Sequence, residues 1–316
     1  MTSSIFESTQ SLTEALTTLV DNQAVEYVGG YENQVFRLKT DGKPCILRVT
    51  EQRHRTNDAI KAELEFVIHL ANQGMSVAAP LRFPSGRQIE RLADGESTLW
   101  VTIFEEAEGH PLELDDDWEN HREDFLRWGA FLGQSHHLSS IYKPPGITRR
   151  HHWDDDDLIQ IENYLPADDR RLIEACKRVI AEVSELPKTA DTFGLIHADL
   201  HQGNFFVDDE KITAFDFDDS CYHWYINDLA IALYYLKWPD ILSEDILDTP
   251  IIQVFLEGYR RHRHFDDRHL EHIPLFFRLR DALLVTSLHK QVGISNLSDD
   301  LRLAYHKRRQ RLLDSS

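Results

Sequence analysis

The sequence predicts an α+β fold in which a small β-rich segment precedes a larger helical one. Short runs rich in Val, Tyr, Phe and Ile crowd residues 24–104. From about residue 115 onward, apolar residues recur at helical spacing. The exception is a pair of β-like runs, "NFFVD" and "KITAFDF", set in a highly charged stretch. This change of texture divides the chain into residues 1–104 and 105–316, both long enough to bury a core.

In order, "MTSSIFESTQSLTEALTTLV" reads as an amphipathic helix, with no basic segment leading into an apolar one as a signal peptide would have. "AVEYVGGYENQVFRLKT" and "PCILRVT" read as strands joined by the turn "TDGKP". Ile60, Leu64, Val67, Ile68 and Ala71 then mark one face of a helix that stops at Gly74. "LWVTIFEEAEG" is a buried strand running into a polar turn. Helices are expected over 119–140, 154–186, 225–240, 250–264 and 270–290.

A formal charge of −20 argues against a nucleic-acid partner, which needs a positive face. The acid is clustered (Asp115–Asp117, Asp154–Asp157, Asp266–Asp267), as solvated faces commonly are. Three scattered cysteines suit a reducing compartment. No apolar run approaches the ~18–20 residues of a membrane span, so a cytoplasmic location is expected.

The chemistry concentrates in "LIHADLHQGNFFVDDEKITAFDFDDS", residues 195–220. His197-x-Asp199-Leu-x-x-x-Asn204, followed twelve residues later by Asp216-Phe-Asp, matches the kinase pattern H-R-D-L-x-x-x-N and D-F-G. Phosphoryl transfer needs hard oxygen ligands for a metal on the phosphates, here Asn204 and Asp216. It also needs a separate carboxylate for the attacking hydroxyl, here Asp199. Taken alone, His197, Asp199 and His201 also match a zinc-binding strand, but that reading leaves Asn204 and Asp216 unexplained.

"HADLHQGNFFVDD…AFDFDDSCYHWYINDLAIAL" closely resembles the aminoglycoside phosphotransferase and choline kinase superfamily, above all the branch that contains type II homoserine kinase. The resemblance spans about residues 24–290 and implies a protein-kinase-like bilobal fold that uses ATP and Mg2+. It places Asp199 on the catalytic base, Asn204 and Asp216 on the metal ligands, and Asp228 on the aspartate that braces the catalytic loop, with His197 supporting it.

A kinase also needs a strand-borne cation on the phosphates, paired to a helix glutamate. "CILRVT" supplies Arg48, and the following helix supplies Glu63, with Glu65 as the competing partner. Choline-kinase-like relatives share this arginine. Gly29 and Gly30 allow close approach of backbone amides to phosphate, although G-x-G-x-x-G is absent. Backbone groups of Phe104, Glu105 and Glu106 fall where the hinge would meet adenine.

Ala198 stands where phosphorylation-regulated kinases carry arginine, and only twelve residues separate Asp216 from Asp228. Both favour a small hydroxyl substrate (an amino alcohol, a hydroxy amino acid such as homoserine, or an aminoglycoside-like compound). The alternatives are a protein kinase of the same superfamily and a nucleotide-binding regulator. Asp218, Asp219, His223 and Trp224 are the expected substrate-binding residues, and paired carboxylates with aromatics suit a cationic acceptor. "HHWDDDD", residues 151–157, falls in the helical insert that the resemblance implies and either joins them or is aromatic packing beneath a solvated acidic helix. Arg280 could bind a substrate carboxylate or pair with Asp281 or another acid.

Overall fold

The structure is a computed structural model that describes residues 9–30, 32–40, 42–94, 97–114, 118–146, 148–208, 210–236 and 250–314. The acidic run 115–117 and the end of the expected helix at 237–240 lie outside these residues.

The described chain forms two compact units. The first runs to Pro111 and adds Tyr142–Arg150 and Asn204–Asp218; the second takes Leu112–Ile141, His151–Gly203 and the described residues from Asp219 onward. Packing therefore groups residues differently from the boundary at 104/105 that texture suggests, because two later segments join the first unit.

In the first unit, strands β1 (Glu26–Gly29), β2 (Gln34–Thr40), β3 (Lys43–Glu51), β4 (Ile89–Asp94) and β5 (Ser97–Glu105) form an antiparallel sheet in the order β1-β2-β3-β5-β4. Gly42, at φ +78°, sits in the tight turn between β2 and β3, where glycine takes the left-handed conformation without a steric penalty. Alternation along β3 sends Cys45, Leu47 and Val49 into a core with Phe36, Leu38, Val101 and Ile103. Helix α1 (Thr9–Leu19) closes that core with Leu12 and Leu16. Arg48 belongs to the opposite phase of β3.

Helix α2 (Asn57–Asn72) is capped by Thr56, whose hydroxyl accepts from the Ala59 amide at 3.2 Å. It buries Ile60, Glu63, Leu64, Phe66 and Val67. Strand β6 (His110–Pro111) pairs with the hairpin β8 (Phe205–Val207) and β9 (Ile212–Ala214). Main-chain bonds between Ala214 and both Ser76 and Ala78, 3.1 and 2.8 Å, tie this hairpin into the unit.

The second unit is helical around a short antiparallel pair, β7 (Phe193–Ile196) and β10 (Cys221–Trp224). Its helices are α3 (Arg122–Ile141), α4 (Arg170–Ser184), α5 (Tyr225–Tyr234), α6 (Pro250–Arg260), α7 (Ile273–Gln291) and α8 (Asp299–Asp314). Helices α3 and α6 cross closely. A Cβ on Gly129 would lie 1.9 Å from the Phe255 carbonyl oxygen, and one on Gly133 would lie 2.2 Å from that of Tyr259.

Two expectations are corrected here. The helix expected from 154 begins at Arg170; residues 153–163 form short 3-10 turns. Asp156 and Asp155 accept from the Leu158 and His152 amides at 2.8 and 3.0 Å, so these side chains cap turns rather than continue a helix. Helix α8 lies beyond the last expected helix, and its start signal was present in "SDD": the Ser298 hydroxyl accepts from the Leu301 amide.

Candidate active site

The β8–β9 hairpin explains the twelve-residue interval. Asn204 immediately precedes β8 and Asp216 follows β9, so antiparallel pairing returns the second to the level of the first. The Phe215 amide donates to the Asn204 carbonyl oxygen at 3.0 Å and holds the two ends together. Asp216 adopts φ +61°, a left-handed conformation costly for a non-glycine residue, and its side chain is half exposed. An amide oxygen and an accessible carboxylate on one rigid hairpin are a donor set that fits a hard divalent cation.

Arg48 meets Glu63 in a buried two-pronged ion pair, Nη1 to Oε1 at 2.8 Å and Nη2 to Oε2 at 2.7 Å. Glu63, not Glu65, is the partner. Burial opposes the charge on Arg48, but Glu63, Asp218 and Asp216 outweigh it and raise the guanidinium's pKa. Asp216 Oδ1 lies 3.7 Å from Arg48 Nη1, and Arg48 Nε has no hydrogen-bond partner among the described residues. One cation thus sits beside a metal-ligand candidate with a buried N–H to spare, which suits a phosphate oxygen. The Phe104 ring lies 5.1 Å below the guanidinium.

Gly29 and Gly30 take φ of +145° and +132°, and a Cβ on Gly30 would strike the Asn33 carbonyl oxygen. Among the backbone groups expected at the hinge, two amides are already engaged. Glu105 N–H donates to the Ala79 carbonyl oxygen at 2.9 Å and Glu106 N–H to that of Pro44 at 3.3 Å, so neither is available to a purine. The Glu106 carboxylate pairs with Arg37 at 2.7 Å.

In the second unit, Asp228 is fully buried at the start of α5. It accepts from the His197 amide at 3.1 Å, the Ala198 amide at 2.8 Å and His136 Nε2 at 3.0 Å. Ala198 sits at φ +66°, so these bonds hold a strained residue immediately before Asp199. His136 Nδ1 faces the Tyr259 hydroxyl at 2.8 Å, and burial lowers the His136 pKa against the pull of Asp228. The Asp199 amide donates to His197 Nδ1 at 3.3 Å. Asp199 itself is paired to Arg280, 2.5 Å away.

The expected substrate-binding residues are placed otherwise. His223 and Trp224 are buried among Trp153, Phe193 and Phe276, and burial pushes His223 down to about 3. Buried rings in such a cluster cannot also face an acceptor. Asp218 is 4% exposed, with His54 Nε2 at 2.7 Å and Arg55 Nε at 3.4 Å. Burial favours its neutral form, but Arg55, His54 and Arg48 together hold its pKa far below the ordinary range. Asp219 lies close enough to Arg280 to stabilise its charge. The repulsion between these neighbouring carboxylates, for which the sequence suggests a substrate ammonium, is therefore already met by the protein's own cations. In "HHWDDDD", Trp153 is buried and Asp157 pairs with Lys290 at 2.9 Å.

Sequence reasoning missed Arg150, His54 and Arg55. Arg150 is buried and donates to the Ala59 carbonyl oxygen at 2.9 Å and to that of Asp218. The run "RHR" at 53–55, dense in cations within an acidic chain, was the available signal. Arg150 had none, since only folding brings it to Asp218.

A family model described as "Phosphotransferase enzyme family" matches residues 23–265. The chain belongs to that family. It is a phosphotransferase, a small-molecule kinase, as the resemblance implied. It is 32% identical to an amicoumacin kinase of Bacillus subtilis (strain 168) over 302 residues, 94% of this chain and 89% of that protein. It is 24% identical to a homoserine kinase of Methylobacillus flagellatus, over 76% of this chain and 70% of that protein. The structure superposes on that of an amicoumacin kinase in complex with AMP-PNP, Ca2+ and Ami with a TM-score of 0.85 at 28% identity. That match covers 98% of this chain and 94% of the other.

Proposed function

We propose that this phosphotransferase uses ATP and Mg2+ to phosphorylate a hydroxyl of a small molecule, with amicoumacin the first acceptor to test and amino alcohols and homoserine next. The observation that carries this reading is the Arg48–Glu63 pair with Asp216 beside it in one unit. Arg48 binds the nucleotide phosphates, and Asn204 and Asp216 hold the cation, which neutralises phosphate charge when bound. The Asp199 carboxylate orients the acceptor hydroxyl and receives its proton. Asp228 fixes the loop that presents Asp199. Residues 1–104 serve the nucleotide and residues 105–316 carry the catalytic loop, with Gly29, Gly30 and Phe104 on the nucleotide side.

The likeness to an amicoumacin kinase, which runs through 94% of the chain, supports the choice of acceptor. A cationic acceptor is not required by the acidic pair, because Arg48, Arg55 and Arg280 already compensate it. The test is coupled ADP release over a panel of amicoumacin, homoserine, 1-amino-2-propanol, choline and an aminoglycoside, with Asp199→Ala as blank. Acceptor-dependent turnover with amicoumacin supports the reading. Turnover with none of the panel, in a protein that binds Mg-ATP, would reject these acceptors.

A further inference from the structure

Arg280, on α7, pairs with an acid, as one of the two sequence readings expected, but the acid is Asp199 and not its neighbour Asp281. Its Nη2 lies 2.5 Å from Asp199 Oδ1 and 2.7 Å from the Tyr235 hydroxyl, and its Nε lies 2.9 Å from that same hydroxyl. Tyr235, the residue after α5, thus accepts two N–H bonds and sets the plane of the guanidinium. Its ring packs on His201 with centroids 4.8 Å apart. His201 Nδ1 accepts from the Gly203 amide at 2.9 Å, which leaves the proton on Nε2, 3.5 Å from Asp199 Oδ2. Asp199, Arg280, Tyr235 and His201 therefore form a closed ring of four side chains.

We propose that Arg280 is a positioning residue for phosphoryl transfer: anchored by Tyr235, it occupies Oδ1 of Asp199 and fixes the carboxylate plane, so that Oδ2, which faces His201 Nε2 on one side, turns its second lone pair to the acceptor hydroxyl. This rests on the reading of Asp199 as the acceptor-orienting base. A carboxylate can turn about its terminal torsion, and one charge-assisted bond to an immobilised guanidinium removes that freedom. As the acceptor O–P bond forms and the bond to the departing ADP breaks, the acceptor proton passes to Oδ2 and then to water.

The electrostatics agree with the geometry. Burial favours the neutral form of Asp199, but Arg280, then His201 and His197, hold it at about 2. Arg280 in turn faces Tyr235 and Asp219 as well as Asp199. Such a carboxylate is ionised at neutral pH and weakly basic. Weak basicity suffices where the transition state is loose and the hydroxyl needs orientation more than early deprotonation. Arg280 exchanges proton affinity for direction.

The test compares wild type with Arg280→Gln, Arg280→Lys, Tyr235→Phe, Asp199→Asn and the Asp199→Asn/Arg280→Gln double variant. Water serves as the acceptor in Mg-dependent ATP hydrolysis, and amicoumacin is a second acceptor. Arg280→Gln should lower kcat about 10- to 100-fold, the scale of a displaced catalytic group, with KM for ATP changed less than about twofold. Arg280→Lys should recover part of the loss, and Tyr235→Phe, which keeps the ring, should cost several-fold. Carboxyl 13C NMR gives an equilibrium readout: the Asp199 signal, assigned by its loss in Asp199→Asn, should not titrate above pH ~4 in wild type. In Arg280→Gln it should titrate at least about one unit higher.

An Asp199 signal that titrates alike in both proteins overturns the proposal, as does wild-type kcat in Arg280→Gln or an equal fractional loss with and without Asp199. If Asp199→Asn keeps full turnover, the base assignment is wrong. If Asp199→Asn is inactive while Arg280→Gln is not, only the positioning role falls. Melting curves and AMP-PNP affinity confirm folding, and Tyr235→Phe decides the matter should Arg280→Gln fail to fold.

Discussion

A carboxylate removed from water needs donors, and Asp228 has three. Two are consecutive backbone amides, so its charge shapes the chain at the positively twisted Ala198. Asp228→Asn keeps the volume but turns one oxygen into a donor that must face another donor. Stability should fall by about 1–3 kcal/mol, the cost of a buried polar mismatch. Turnover should drop with KM for ATP unchanged, and urea unfolding with steady-state kinetics checks both. At Arg48 the fork matters as well as the charge. Arg48→Lys can reach only one Glu63 oxygen at a time, so KM for ATP should rise about tenfold and kcat should fall. Arg48→Ala strands Glu63 in the interior and should cost about 3–5 kcal/mol. Kinetics unaltered in both variants would remove Arg48 from the site.

Elements carry the next layer. Sequence periodicity located α3 and α6, but not that they cross at glycine. Gly129 and Gly133 lie one turn apart on α3, where carbonyl oxygens of α6 leave no room for a Cβ. Gly133→Ala gains helix propensity yet forces the helices apart, and overpacking of this kind costs about 1–3 kcal/mol. A lower melting temperature is expected, and a rise would mean that the crossing yields easily. The β8–β9 hairpin was legible because its two runs and its acidic turn are local. Its consequence, Asn204 and Asp216 at one end, follows from antiparallel register alone. Helix α8 is joined to α7 through Arg311 and Asp281, 2.5 Å apart, with Tyr234 of α5 on the same carboxylate.

Across the whole molecule, buried titratable groups set the response to pH. Burial pushes His223 down to about 3 and lowers His136, while both titrate near ~6.5 in an unfolded chain. Below that point the unfolded state binds protons that the folded state refuses, so stability falls as pH drops and, for His223, keeps falling to about 3. Each histidine contributes a slope of up to ~1.4 kcal/mol per pH unit in this window. The depressed Asp199 and Asp218 add their loss only below the ordinary carboxylate range, near pH ~4. Urea midpoints should therefore decline between about pH 6.5 and 4.5. His223→Asn, which retains an acceptor for the Trp224 amide, should flatten the decline, and an equal slope would show that His223 is not buried neutral.

The sequence by itself located the main strands of the first unit, the β8–β9 hairpin and helices α2, α3, α5, α6 and α7, because periods of two and 3.6 residues are written along the chain, but not β4, β6, β7, β10, α8 or the start of α4. It also located the candidate base and metal ligands, because their spacing lies within one loop and one hairpin, and it paired β3 with α2 through Arg48 and a glutamate. Choosing Glu63 over Glu65 needed the rotational phase of α2. The tertiary structure alone decided which charges meet. Arg150, His54 and Arg55 converge on Asp218, and Arg280 reaches Asp199 across 81 residues of sequence. Burial makes such long-range pairs, since a charge taken from water must find a partner wherever the packed chain supplies one. For that reason Asp218 and His223, expected from the sequence to bind substrate, are interior groups whose needs the fold already meets.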